Sequence, residues 1–127
     1  MNLVAFDRFC ATLPATAMVV QWEGAHVWKV GGKVFAIGTV RARDDEEEPS
    51  FAVSLKCSEI AREMLAGRAG VGPAPHLPRG GWLQIRPGED GDAVGGGEMR
   101  DLARGSHALM VKALTKAKRR ELGLDVA

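Results

Sequence analysis

Three short runs rich in β-branched and aromatic residues follow one another between residues 18 and 40, and only tight turns separate them. The runs are MVVQWEG, AHVWKVGG and KVFAIGTV, with turn residues at 23–24 and 31–32. Such runs predict strands, and the paired glycines of VGGK can take the positive φ that a two-residue hairpin turn requires. Strands joined by connections this short run antiparallel. The sequence therefore predicts a sheet that begins with two consecutive hairpins.

Two later segments add strands to this sheet. FAVSLKC, at 51–57, alternates large apolar residues with small or polar ones, which is the period-two pattern of a strand with one buried face. WLQIRPG follows at 82–88 and ends in a Pro-Gly turn signal. The stretch that leads into it, GPAPHLPRGGWLQI at 72–85, carries three prolines, and we interpret its first part as a conformationally stiff connection. Five strands are expected in total.

Periodic apolar residues predict helices before, between and after these strands. The first helix presents one apolar face and is ended with the help of Pro14; the face comprises Leu3, Phe6, Phe9, Cys10 and Leu13. Ser58 can cap a second helix, which has a narrow apolar side made of Ile60, Ala61, Met64 and Leu65. The third has the strongest pattern, formed by Met99, Leu102, Ala103, Ser106, Leu109, Met110 and Ala113. Thr115 can cap a short final turn.

The order of these elements is α-β-β-β-β-α-β-α. It predicts a two-layer α+β domain in which helices pack on a mainly antiparallel five-stranded sheet. A length of 127 residues suits one domain, 1–127, because it leaves little room for a second hydrophobic core.

Composition indicates a globular protein of the cytoplasm. Hydrophobic residues make up 46% of the chain, but none of its apolar stretches approaches the roughly 20 residues of a membrane span. Asp7 and Arg8 interrupt the apolar pattern at the N-terminus, so it does not resemble a signal peptide. Cys10 and Cys57 lie far apart without a CxxC partner, which predicts small core residues rather than a zinc or redox site.

The net charge of +1 conceals an uneven distribution. Residues 1–50 hold five Lys or Arg against seven Asp or Glu, whereas residues 51–127 hold twelve against nine. Asp44 to Glu48 form an acidic run, for which a solvated loop is the simplest interpretation. The basic stretch near the C-terminus contains no acid and consists of Lys112, Lys116, Lys118, Arg119 and Arg120.

Catalytic motifs are scarce. His26, His76 and His107 stand far apart, the sequence contains neither HExxH nor GxSxG, and the cysteines have no local histidine. Gly95 to Gly97 precede the third helix, but Glu98 and Asp101 would oppose an anion there, so we interpret the glycines as a loop. We expect no enzymatic activity, no catalytic residues, no metal site and no cofactor.

Four ordered segments resemble the MmcQ/YjbR family. They are KVGGKVFAI at 29–37, SLKCSEIARE at 54–63, the P-x-x-H-L-x-x-x-x-W arrangement from Pro73 to Trp82, and SHALMVKALTKAKRREL at 106–122. The resemblance implies a CyaY-like α+β fold with a double-wing arrangement similar to the DNA-binding domain of a phage transcription factor. DNA binding is the role it implies, with no established enzymatic activity. Thr115, where the family commonly has Pro, and the acidic run are departures from the family pattern.

Each candidate residue has a structural alternative. His76 can contact phosphate beside Arg79, or it can pin its proline-rich loop to the domain, and we favour the second reading. Trp22, Trp28 and Trp82 fall on predicted strands, where core packing is favoured over base stacking. Lys29 and Lys33 flank the VGGK hairpin, and with Lys56 and Arg86 they can line a sheet face or wing, or they can be solvated strand ends.

These observations lead to a DNA-binding prediction. We expect weak, largely sequence-independent contacts to double-stranded DNA through the basic stretch at 112–120, with Arg79, Lys29 and Lys33 as secondary contacts. Two alternatives stay open: a protein-interaction module that uses the sheet face, and a small-molecule binding domain, which requires a pocket with convergent polar groups. No membrane partner is expected.

Overall fold

A computed structural model of the chain describes residues 1–41, 49–75, 77 and 79–124, and it shows six strands and four helices in this part of the chain. In chain order the elements are α1 (Leu3–Cys10), β1 (Thr16–Gln21), β2 (Ala25–Val30), β3 (Lys33–Arg41), β4 (Ser50–Lys56), α2 (Glu59–Leu65), β5 (Val71–Pro73), β6 (Trp82–Ile85), α3 (Gly96–Ala113) and α4 (Lys116–Glu121). The strands form one sheet in the order β1-β2-β3-β4-β6-β5, and every neighbouring pair is antiparallel. The α+β class and the antiparallel sheet are confirmed.

The prediction of five strands was wrong, because β5 adds a sixth. Among the described strands β5 pairs with β6 alone, through Val71 opposite Ile85 and Pro73 opposite Leu83. A three-residue strand is too short to show a period, and its sequence, VGP, consists mostly of turn-forming residues. Proline is tolerated there because β5 lies at the edge of the sheet.

Both hairpin turns are found at the predicted turn residues, 23–24 and 31–32. Gly31 and Gly32 connect β2 and β3 with φ values of 58° and 82°. Trp22, Glu23 and Gly24 all have positive φ and connect β1 to β2. Trp22 therefore belongs to a turn and not to a strand, and its side chain is 60% exposed, so the prediction that it packs in the core was wrong.

A bulge in β3 places two consecutive side chains on the helix side of the sheet. Trp28 pairs with Ala36 while Lys29 pairs with Val34, which leaves Phe35 as an extra residue. Phe35 meets His107 of α3 edge-to-face at a centroid distance of 5.2 Å, and Ala36 is buried in the same core. A bulge of this kind allows neighbouring residues to point to one face.

The core lies between the sheet and the helices α1 and α3. Its largest fully buried side chains belong to both layers and include Phe6, Phe35, Leu55, Leu65, Ile85 and Met99. Trp28 and the free thiols Cys10 and Cys57 are also buried, as predicted for them. Trp28 donates from Nε1 to Asp7 of α1 at 2.9 Å, and His26 Nδ1 lies 2.6 Å from the same carboxylate.

The predicted caps are present. Ser58 Oγ accepts a hydrogen bond from the Ala61 amide at 3.1 Å, and Thr115 Oγ1 accepts one from the Lys118 amide at 3.1 Å, so α2 and α4 begin where the sequence indicates. The apolar side predicted for α2 was wrong at two positions. Ile60 and Met64 are about 70% exposed, and the helix buries Leu65 alone.

In the part of the chain that the structure describes, we find no helix with the length and apolar character needed to cross a bilayer.

Candidate functional site

The C-terminal basic stretch lies at the same end of the molecule as the β2–β3 hairpin. A methyl group placed on Gly31 would lie 2.8 Å from side-chain carbons of Leu114 and 3.2 Å from Leu122. Because glycine occupies that position, the hairpin turn can pack against the residues on both sides of α4. The hairpin lysines Lys29 and Lys33 therefore lie near α4, although they are distant from it in sequence.

The basic side chains of this end differ in what they do. Arg119 donates from Nη1 to the carbonyl oxygens of Leu114 at 2.9 Å and Lys112 at 3.3 Å, so its guanidinium satisfies carbonyls at the end of α3. Lys118 Nζ lies 3.5 Å from Glu121 Oε1 in an exposed i,i+3 pair. Lys112 and Lys116 are exposed, and among the described residues neither forms an ion pair. These two lysines are the best placed to reach a phosphate.

An open groove of about 500 Å³ runs beside these residues. Lys112 and Arg119 line it on the basic side, and His107, Pro14 and Leu124 also contribute to its walls. His107 is buried with its Nε2 2.9 Å from the carbonyl oxygen of Pro14. The histidine thus ties α3 to the segment between α1 and β1, while the two cations face the groove.

Arg79 belongs to a second basic group. It is exposed in the loop between β5 and β6. A methyl group placed on the next two residues, Gly80 and Gly81, would come within 4 Å of Lys56 Nζ and of the Arg62 guanidinium respectively. None of these contacts involves α4 or the β2–β3 hairpin. The structure therefore groups Lys29 and Lys33 with the C-terminal stretch and leaves Arg79 elsewhere.

Two of the sequence predictions fall on positions that lie outside the described residues. These are the interpretation of His76 as a loop anchor or phosphate contact, and that of Asp44 to Glu48 as a solvated loop. Trp82, the other candidate of the proline-rich stretch, is half-buried on β6 and pairs in register with Lys56. Its packing is consistent with the structural interpretation.

A cleft of about 730 Å³ lies on the side of the sheet away from α1 and α3. Its floor is formed by alternate residues of the four central strands, namely Ala25, Ile37, Thr39, Ser54 and Gln84. Trp22 and Glu23 of the first turn and Pro75 and Leu77 of the β5–β6 loop form its walls, and Ser50 and Arg86 complete it. Sequence reasoning named Arg86 only as a possible sheet-face residue and missed the cleft.

Arg86 is the positively charged residue among the described residues that line this cleft. Its Nη1 donates to Ser50 Oγ, and its Nε is buried without a hydrogen-bond partner in the structure. Among the described residues no carboxylate forms an ion pair with it. Buried polar atoms are almost always hydrogen-bonded, so an unsatisfied guanidinium nitrogen in a cleft requires an explanation.

The described residues contain no group of three or more His, Cys, Asp or Glu side chains that could hold a metal ion.

Fold and surfaces together define a small α+β protein with a basic end and a sheet-face cleft. The family model named YjbR matches residues 11–109, and the chain belongs to the YjbR family. No curated protein matches the sequence.

Solved structures share the fold. The crystal structure of the Deinococcus radiodurans protein DR2400, described as containing the domain DUF419, has a TM-score of 0.73 and 25% identity, covering 98% of this chain and 89% of that chain. A Pseudomonas syringae protein has a TM-score of 0.68 at 19% identity and covers 86% of this chain and 98% of its own, a likeness that concerns the fold alone.

Proposed function

We propose that this YjbR-family protein is a non-enzymatic protein that binds double-stranded DNA weakly and largely independently of sequence. The observation that carries the proposal is the contact of Gly31 with Leu114 and Leu122, which brings the hairpin lysines and the basic C-terminal stretch to one end of the molecule. The CyaY-like and double-wing descriptions implied by the family resemblance stay predictions. In this proposal the β2–β3 hairpin acts as a wing beside α4.

The contacts are electrostatic. Lys112 and Lys116 reach the phosphates, Arg119 adds positive charge to the groove beside them, and Lys29 and Lys33 extend the contact along the hairpin. Each phosphate that a cation neutralises releases counterions, so affinity falls as the salt concentration rises. A net charge of only +1 limits the attraction to short range. Arg79 belongs to a separate group and contributes less than the sequence prediction assigned to it.

A titration of duplex DNA across salt concentrations tests the proposal. We expect binding at low ionic strength. A plot of the logarithm of the binding constant against the logarithm of the salt concentration should have a slope no steeper than about −4 to −5, the value for at most five phosphate contacts. The variant Lys112→Gln/Lys116→Gln removes two contacts and is expected to reduce that slope by about 2. The control is Arg8→Gln/Arg100→Gln, which removes the same amount of positive charge from two exposed positions away from α4. Arg100 lies on α3, as Lys112 does, but about 18 Å from it.

Two results would contradict the proposal. One is the absence of duplex binding at about 20 mM salt, where electrostatic contacts are strongest. The other is an equal loss of affinity in the two double variants, since that would trace binding to net charge rather than to the α4 end. The alternative of a protein-interaction module on the sheet face stays a prediction.

A further inference from the structure

We propose that the sheet-face cleft is a binding site for a small organic acid, whose carboxylate pairs with Arg86 while its apolar body lies against Ile37, Leu77 and Trp22. This inference is independent of DNA binding, because it concerns a different face of the sheet and none of the residues assigned to the phosphate contacts. It rests on the volume of the cleft, the chemistry of its walls and the unsatisfied state of Arg86.

The size of the cleft suits a small ligand. A volume of about 730 Å³ is within the range of small-molecule sites, which are concave, largely apolar and supplied with a few polar groups. From Ala25 on β2 to Arg86, the residue that follows β6, the cleft crosses three strand spacings, about 14 Å in all. A ring with a short side chain and a terminal acid group spans much of that distance.

The position of Arg86 determines the charge of the ligand. Its Nη1 is oriented by Ser50 and its buried Nε is unsatisfied, and because the side chain lines the cleft, its guanidinium can donate to an oxyanion bound there. Arginine binds carboxylates through two parallel hydrogen bonds, and such charge-assisted bonds are stronger than neutral ones. Glu23 also lines the cleft, but it lies in the first turn, at the β2 side, and forms no ion pair with Arg86.

The remaining lining separates into a polar and an apolar part. Thr39, Ser54 and Gln84 place two hydroxyls and an amide on the floor of the cleft. Ile37, Leu77, Pro75 and the exposed ring of Trp22 supply apolar surface around them. An anion without an apolar body would leave that surface in contact with water, and an apolar ligand without an anion would leave Arg86 unsatisfied. A carboxylate joined to an apolar group satisfies both.

The test uses phenylacetate as the probe, with phenylacetamide as its neutral analogue of the same shape and inorganic phosphate as an anion without an apolar body. Binding to the full chain is followed by amide chemical-shift changes and by calorimetry. We expect saturable phenylacetate binding at least about tenfold tighter than that of either comparison compound, with shifts concentrated at residues of the cleft.

Variants locate the site. R86Q is expected to lose at least about tenfold in phenylacetate affinity. R79Q removes an exposed arginine of the β5–β6 loop that does not line the cleft, and it is expected to keep that affinity. Ile37→Trp fills the cleft, leaves Arg86 in place and is expected to abolish binding; it provides a second test if R86Q does not fold. Thermal unfolding verifies that each variant is folded, and duplex DNA binding should not change in R86Q.

Several results would overturn the inference. They are equal affinities for the acid and the amide, phosphate binding as tight as that of phenylacetate, full affinity in a folded R86Q or Ile37→Trp variant, and no saturable binding of any probe.

Discussion

The hydroxyl of Ser106 donates a hydrogen bond of 2.6 Å to the main-chain carbonyl of Phe35, the extra residue of the bulge in β3. The same oxygen accepts a hydrogen bond of 3.1 Å from the amide of Lys56, at the end of β4. Ser106 is fully buried on the face of α3 that packs on the sheet. One small polar side chain thus satisfies a carbonyl that the bulge removes from regular strand pairing, and it fixes α3 over two strands.

Ser106→Ala is expected to lower the free energy of unfolding by roughly 2–4 kcal/mol, because it leaves a buried carbonyl and a partly buried amide unpaired, at about 1–3 kcal/mol for each group without a partner. Urea unfolding measures the change. Ser58→Ala is the matched control. It removes the exposed cap of α2, but the Ala61 amide that Ser58 caps can bind water instead, so the free energy of unfolding should fall by only about 1 kcal/mol. Equal costs in the two variants would show that the Ser106 bridge has no special role.

Arg68 connects three parts of the chain beside the N-terminus of α3. It donates from Nε to the carbonyl of Asp92 at 2.8 Å and from Nη2 to Glu98 Oε1 at 2.7 Å, and its Nη1 also contacts Glu98. Hydrogen bonding from Arg68 lowers the pKa of the Glu98 carboxyl, its positive charge acts in the same direction, and desolvation partly opposes both. These hydrogen bonds of the Arg68 guanidinium hold the loop before α3 against the loop after α2.

Glu98→Gln is expected to be less stable than the parent protein at pH 7. The difference in the free energy of unfolding between the two proteins should become smaller as the pH falls. The pKa of Glu98 is lower in the folded state than the usual value of about 4.3, so its contribution is complete above about pH 5 and is lost as the pH falls through the lowered pKa. Because the carboxylate is 37% exposed, solvent screening keeps the effect modest. Urea midpoints at pH 7 and pH 3 measure it. Glu89→Gln, at an exposed position, is the control, and its stability relative to the parent protein should not change with pH. If the stability difference between Glu98→Gln and the parent protein were constant with pH, the electrostatic explanation would be excluded.

Local signals in the sequence were sufficient to predict much of the fold. The paired glycines at 31–32 identify the hairpin, the spacing from Met99 to Met110 identifies α3, and Ser58 and Thr115 identify two helix starts. Each of these depends on residues a few positions apart. β5 has too few residues for any period, and the exposure of Ile60 and Met64 depends on how far α2 stands from the core, which no local pattern encodes.

The surfaces were harder to predict than the elements. The five basic residues at 112–120 are recognisable because they are close in sequence, but their proximity to Lys29 and Lys33 depends on the contact of Gly31 with Leu114. The cleft draws on four strands, a turn and a loop, so no segment of sequence contains its pattern. Ser106 was counted in the apolar stripe of α3 from its spacing alone, and its role became visible only when β3 and β4 were placed beside it.

Gly105→Ala is expected to stabilise the protein by about 0.5–1 kcal/mol, because Gly105 lies in the interior of α3, has ordinary helical φ, and nothing is within 4 Å of the position a methyl group would take. Gly31→Ala provides the contrast. There φ is +58° and the added carbon would meet Leu114 at 2.8 Å, so a clear loss of stability is expected. Thermal and urea unfolding of the two variants measure both effects, and a destabilising Gly105→Ala would mean that α3 lacks the exposed face assigned to it.

Neither cysteine is expected to react with Ellman's reagent while the protein is folded. Burial raises the pKa of the Cys10 thiol to about 12, with the Asp7 carboxylate adding to the effect, and burial raises that of Cys57 to about 11 although Arg62 acts in the opposite direction. Fewer than about one thiol in a thousand is then ionised at pH 7.4, and the thiolate is the reactive form. In denaturant, two thiols per chain should react. In native buffer, the same thiols should react only as fast as the protein unfolds. Ala117→Cys, at an exposed position of α4, is the positive control and should react at once. Native-state labelling of Cys10 or Cys57 as fast as that of the control would contradict the burial of these side chains.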